Sequence, residues 1–159
     1  MNPTISCNAL AIVTTPQTIK IGGHIKKKKV IVLIDSSSAH NFIHCKIVKE
    51  LNFFLYLELE CQVVVANGGT INFLGKCHDI NITMAEYVFN SPMISILMGG
   101  VDFVLGVRWL QSFGMIDFNF QELFLNVFCE GREIEMGGSD VVLGFKWLQC
   151  LVMIAFNFQ

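Results

Sequence analysis

The chain has 159 residues, enough for one domain with little to spare. Eleven Lys and Arg against thirteen Asp and Glu leave a formal charge of −2, which excludes a dominant phosphate-binding surface. With 53% hydrophobic and only 15% charged residues, disorder is excluded as the main state, and the mean hydropathy of +0.55 points to a surface that a partner covers. Residues 17–24 begin with apolar–polar alternation and predict a strand; the four lysines at 26–29 then read as a solvated turn. Val30, Ile31, Val32, Leu33 and Ile34 are continuously apolar and mostly β-branched, which predicts a buried strand. It stops at the polar cluster Asp35, Ser36, Ser37 and Ser38. The spacing of Phe42, Ile43, Ile47, Val48 and Leu51 predicts a helix over 41–51. Strands at 61–66 and 70–74 flank Asn67, Gly68 and Gly69, where Asn-Gly is a strong hairpin signal because both residues tolerate φ > 0. Residues 80–84 alternate, an apolar strand follows Ser91 and Pro92, 101–105 is extended, 107–113 suits a short helix, and 115–120 and 123–128 read as strands. A mostly β chain with strands every 8–12 residues or so predicts a barrel or a sandwich.

Residues 99–121 recur at an offset of 38 as residues 137–159, with 15 of 23 positions identical. Two copies are too few for a solenoid, so this is a segment duplication. The longest candidate membrane span, 141–156, is short and contains Lys146, which excludes a spanning helix. The first residues have neither the basic nor the apolar region of a secretory signal, so a cytoplasmic or nuclear setting is expected. Six irregularly spaced cysteines, none in C-x-x-C, then read as reduced thiols. His40 and His44 would share a helix face, but no zincin glutamate lies between them and no second ligand pair follows; no metal is expected. Without a zinc knuckle or a basic stripe, nucleic acid is not an expected partner either.

Chemistry is most plausible at Asp35. A carboxylate that ends a buried apolar strand is held rigidly at the edge of a low-dielectric core, where it can serve as acid or base; the plain alternative is a turn residue. The wider string Val32-Leu33-Ile34-Asp35-Ser36-Ser37-Ser38-Ala39-His40-Asn41-Phe42-Ile43 resembles the V-L-I-D-S-G-S-T-H-N-F-I segment of retropepsin-like aspartic proteases, in particular those of plant gypsy-class long-terminal-repeat retrotransposons. Pro16-Gln17-Thr18-Ile19-Lys20 resembles that family's lead-in strand, and Val65-Ala66-Asn67-Gly68-Gly69 its flap. The segment 99–110, with Val104, Leu105 and Gly106, resembles its hydrophobic-Gly loop and following helix.

The resemblance implies an all-β, closed acid-protease barrel with one or two short helices over residues 15–136. Residues 1–14 would be an N-terminal extension, and the duplicated 137–159 an appendage. It implies one catalytic carboxylate per chain, Asp35, meeting that of a second copy in a homodimer. Ser36 would hydrogen-bond across the interface, with Ser37 and Ser38 supporting the catalytic loop. Ala66, Asn67, Gly68 and Gly69 would lie over a polypeptide substrate, and Val104, Leu105 and Gly106 would shield the carboxylates. No metal, organic cofactor, nucleic acid or membrane is implied. Asp102 and Asp140 sit in Asp-x-Val-Leu-Gly, the supporting loop, so the chain carries no second catalytic turn and must dimerise to act. Two departures stand out: Ser37 replaces the family's Gly, and Ala39 its usual Thr. Three placements are expected: Asp35 facing outward at the barrel's edge beside Val104-Leu105-Gly106, Trp109 buried in the core slot, and Trp147 of the second copy packed less densely.

Overall fold

The computed structural model describes residues 4–5, 18–57, 62–65, 70–72, 75–119, 121–122, 124–137 and 154–157. Strands β1 (Thr4–Ile5), β2 (Thr18–Ile25), β3 (Lys28–Asp35) and β4 (Phe42–His44) precede helix α1 (Cys45–Glu50). There follow β5 (Gln62–Val65), β6 (Thr70–Asn72), β7 (Gly75–Met84), β8 (Tyr87–Ile96) and β9 (Phe103–Leu105). Helix α2 (Val107–Leu110) leads to β10 (Met115–Asn119), β11 (Phe124–Cys129), β12 (Arg132–Gly137) and β13 (Ile154–Asn157). A closed barrel runs β2-β3-β9-β4-β8-β7, beside a β1-β5-β6 sheet and a β12-β11-β10-β13 sheet. The all-β closed barrel with two short helices is as expected, and the barrel-or-sandwich alternative resolves to the barrel.

The continuous apolar run of β3 has a packing cause. Val30, Val32 and Ile34 face the main core, whereas Leu33 faces a second cluster with Phe42, Ile94 and Val104 on the barrel's other side. A strand buried on both faces has no solvent side on which to carry polar residues. β9 repeats the pattern, with Phe103 and Leu105 in the main core and Val104 in the second cluster. Trp109 is fully buried in the main core, edge-on to Phe113 and Phe89 at centroid distances of 5.0 and 6.1 Å. Trp147 lies outside the described residues. Pro92 sits within β8 without breaking the barrel, because β7 bulges there. The register passes from Cys77↔Met93 to Ile80↔Ser91, setting His78 and Asp79 against one residue that has no N–H to donate.

Three expectations about elements are corrected. The helix over 41–51 begins only at Cys45: Phe42–His44 form β4, parallel to β8 and antiparallel to β9, and close the barrel. Phe42 and Ile43 enter opposite cores, a period of two that a three-residue strand is too short to reveal. His40 and His44 therefore share no helix face. His44 caps α1, its Nδ1 accepting the Lys46 N–H at 2.9 Å. The helix expected over 107–113 is only α2, and β12, which the sequence reading missed, pairs with β11 across a turn in which Glu130 and Gly131 have φ of 51° and 76°. Cys45, Cys77 and Cys129 are free thiols, and among the described residues no helix is long and apolar enough to cross a membrane.

Candidate active site

Asp35 is the last residue of β3, level with Thr18 of β2. The parallel register of β3 with β9 ends at Ile34↔Leu105, so Gly106 follows alongside Asp35. Beyond Ile34 the chain turns at Ser36 and Ser37, closed by the Ser38 N–H donating to the Asp35 carbonyl at 3.2 Å. The Ser37 N–H donates to Asp35 Oδ1 at 2.8 Å and Ser38 Oγ donates to Oδ2 at 3.0 Å, so each carboxylate oxygen has an oriented donor from its own loop. The expected outward-facing carboxylate is corrected. Asp35 is 0% exposed within the single chain, because the loop that follows it folds back over its oxygens.

The loop is fastened to the β9–α2 corner. The Val107 N–H donates to the Ser38 carbonyl at 2.7 Å. The Gly106 N–H donates to Asn41 Oδ1 at 3.0 Å in a buried bond, while Asn41 Nδ2 donates to Ser91 Oγ at 3.2 Å. One amide thus ties the Asp35 loop to the Gly106 corner and to β8. Sequence reasoning missed Asn41 as a site residue; its partner is 65 positions away, and only its place in the Asp35 string hinted at it. Asn41→Ala should cost about 1–3 kcal/mol in urea denaturation, because it leaves the buried Gly106 N–H without its acceptor.

Gly106 is required by space. A Cβ there would collide with the Ser38 carbonyl oxygen and come within 2.6 Å of the His40 carbonyl oxygen. Val104 and Leu105 are fully buried beside it. Asp102, at the head of the same loop, accepts the Ile31 N–H through Oδ2 at 2.8 Å, and its own N–H donates to the Ile31 carbonyl at 2.9 Å. Its carboxylate staples β9 to β3.

Ser36 is half-buried and Ser37 exposed. Ser37 is not among the positive-φ residues, so the loop's backbone does not itself demand a glycine there. His40 Nδ1 is buried without a hydrogen-bond partner. Burial first, then the charges of Arg108 and Lys76, push this imidazole below its ordinary pKa and favour the neutral ring. Ala66, Asn67, Gly68 and Gly69 lie outside the described residues. They fall between β5 and β6, an antiparallel pair with Val63 opposite Ile71. Asp140 also lies outside the described residues, and among those described no group of three or more His, Cys, Asp or Glu could hold a metal ion.

Residues 5–130 match the family profile of the retroviral aspartyl protease. The chain is 27% identical over 106 residues to the enzymatic polyprotein of cauliflower mosaic virus strain BBC, and 26% identical over the same length to that of strain D/H. Both matches cover 64% of this chain but 16% of the polyprotein, so the chain corresponds to a small part of those relatives. The crystal structure of the retroviral protease-like domain of Ddi1 from Leishmania major superposes with a TM-score of 0.56 at 13% identity, covering 78% of this chain and 98% of that one. That likeness concerns the fold. A strand-ending Asp-Ser, a glycine corner pressed against it and a profile match over most of the chain converge: this protein belongs to the retroviral aspartyl protease family.

Proposed function

We propose that the chain is an aspartic endopeptidase domain of a retroelement polyprotein, of the plant gypsy-class type, acting as a homodimer with one Asp35 per chain. The observation that carries this reading is the oriented Asp35 carboxylate at the end of β3, held against Gly106 and provided with a donor at each oxygen. One carboxylate has no reason to divide its labour. Two abutting carboxylates cannot both ionise cheaply, so they share a proton. The ionised one draws a proton from water, which attacks the scissile carbonyl carbon, while the protonated one polarises the carbonyl oxygen. Ser36 would hydrogen-bond across the twofold axis, and residues 66–69 would cover a polypeptide substrate drawn from flanking polyprotein. The free thiols at Cys45, Cys77 and Cys129 support a reducing compartment, the cytoplasm or nucleus.

The test is peptide cleavage by the purified chain between about pH 3 and 7, the range in which a carboxylate dyad titrates. Pepstatin-sensitive cleavage at acid pH upholds the reading, and its absence in a demonstrated dimer sinks it. Ser37→Gly removes a Cβ and a hydroxyl from each copy at the axis. A misplacement of about 1 Å costs on the order of a hundredfold in positioned catalysis, so the variant should cleave up to about a hundredfold faster. Its stability cost should stay within about 1 kcal/mol. Equal rates would show that serine is tolerated there.

The complete burial of Asp35 within one chain favours a second reading, a catalytically inactive retropepsin-like dimerisation or peptide-binding module. A dimer that binds peptide without cleaving it, in both the parent and Ser37→Gly, is the result that selects it.

A further inference from the structure

β13 is a copy of β10, and the two strands pair with each other. Ile154, Ala155, Phe156 and Asn157 repeat Ile116, Asp117, Phe118 and Asn119 with a single change, Ala155 for Asp117. Their antiparallel register sets Ile116 opposite Phe156, Asp117 opposite Ala155 and Phe118 opposite Ile154. Phe156 is the copy of Phe118, and Ile154 the copy of Ile116. The pairing is therefore self-complementary about the Asp117–Ala155 position. β10 meets its own sequence in the register that two β10 strands from separate chains would take about a true twofold axis.

We propose that the duplicated tail strand is an internal surrogate for a second copy of the chain: it occupies the edge of β10 at which two copies would pair, and so opposes chain–chain pairing. The homodimer of the reading above is its premise; cleavage is not. β10 has two edges, and β11 holds the other, so the tail and a second chain compete for one place. Two effects favour the tail. Tethering through the same chain gives it an effective concentration on the order of millimolar. The chain–chain register would also set two Asp117 residues directly opposite one another, and like charges so placed repel. The residue facing Asp117 from β11 is the uncharged Asn126, which offers no cation to relieve that repulsion. The duplicated strand presents Ala155 at the same position and avoids the clash. An open strand edge is a template for any matching strand, and the best-matched one here is the strand's own copy.

The experiment uses the full chain, with sedimentation and oxidative crosslinking mapped by mass spectrometry so that native cysteines are told apart. Asp117→Cys should accumulate a 117–117 link between chains, since opposed residues of an antiparallel pair lie within disulfide reach. Ile116→Cys should give no 116–116 link, because in this register it faces position 118. Adding Ala155→Pro, which disrupts the tail strand, should speed the 117–117 link and shift the chain from monomer to dimer. Asp117→Cys with Ala155→Cys should link within one chain and suppress dimers until reduced. The proposal is overturned if Asp117→Cys yields no 117–117 link while the barrel stays folded, or if the 117–155 link forms between chains. Neither readout involves Asp35. Chains that pair through 117 yet cleave nothing keep this inference and lose the protease reading; cleavage without 117–117 pairing does the reverse.

Discussion

Asp35→Asn should reduce peptide cleavage to background, a loss of about 10⁴-fold, at the upper end of what positioned acid–base groups contribute. In the proposed homodimer the substitution acts on both copies, so base and acid vanish together. An amide can neither take a proton from water at these pH values nor give one to a carbonyl. The fold should survive. The Asn oxygen can still accept the Ser37 N–H, and its amide nitrogen can donate to Ser38 Oγ once that hydroxyl rotates, so both contacts around residue 35 remain possible. The measurement is the cleavage rate at the acid optimum alongside thermal unfolding of the same preparation. Undiminished cleavage by a folded Asp35→Asn protein would remove Asp35 from the reaction.

Gly106→Ala should cost about 3 kcal/mol, the upper end of the usual range for overpacking, and take activity with it. The new methyl would meet two backbone carbonyls, those of Ser38 and His40, and carbonyls cannot swing aside as a flexible side chain can. Relief means pushing the 36–40 loop off the β9–α2 corner. That strains the Val107-to-Ser38 and Gly106-to-Asn41 bonds that hold Asp35 in place. Gly131→Ala is the control. Gly131 also has no side chain, but a Cβ there meets nothing within 4 Å, and only its φ of +76° resists the change. It should cost about 1 kcal/mol and leave cleavage intact. Urea denaturation of both variants separates the two causes, and equal losses would refute the collision.

Much of the scaffold around Asp35 was legible because its causes are local. Val30 to Ile34 are apolar without a break because β3 has a core on each side, and the polar residues that follow mark where it ends. The motif strings carried the family, and with it the pairing of β3 beside Val104, Leu105 and Gly106. What stayed hidden depends on contacts distant in sequence. Phe42 and Ile43 belong to β4 only because β8 and β9 are there to flank them. Asn41 is a site residue only because Gly106 presents an N–H to it. The loop that buries Asp35 is local, but it is fastened by the Val107 N–H to the Ser38 carbonyl, and no window around residue 35 contains Val107. β12 was missed for a different reason: Glu130-Gly131 is a weaker turn signal than Asn-Gly, although it serves the same geometry here.

The staple between Ile31 and Asp102 spans 71 positions, and this sets a clock on the protein's birth. At roughly 5–20 residues per second, β3 leaves the ribosome some 4–14 s before the strand that must lie beside it. Through that interval its edge is open and its apolar faces are uncovered. The second copy of the Asp-x-Val-Leu-Gly segment is made 38 positions after the first, a further delay of about 2–8 s at the same rate. The earlier copy reaches the place beside β3 before the later one has been made. Order of arrival thus favours the earlier of two near-identical segments, with no large difference in intrinsic fit required.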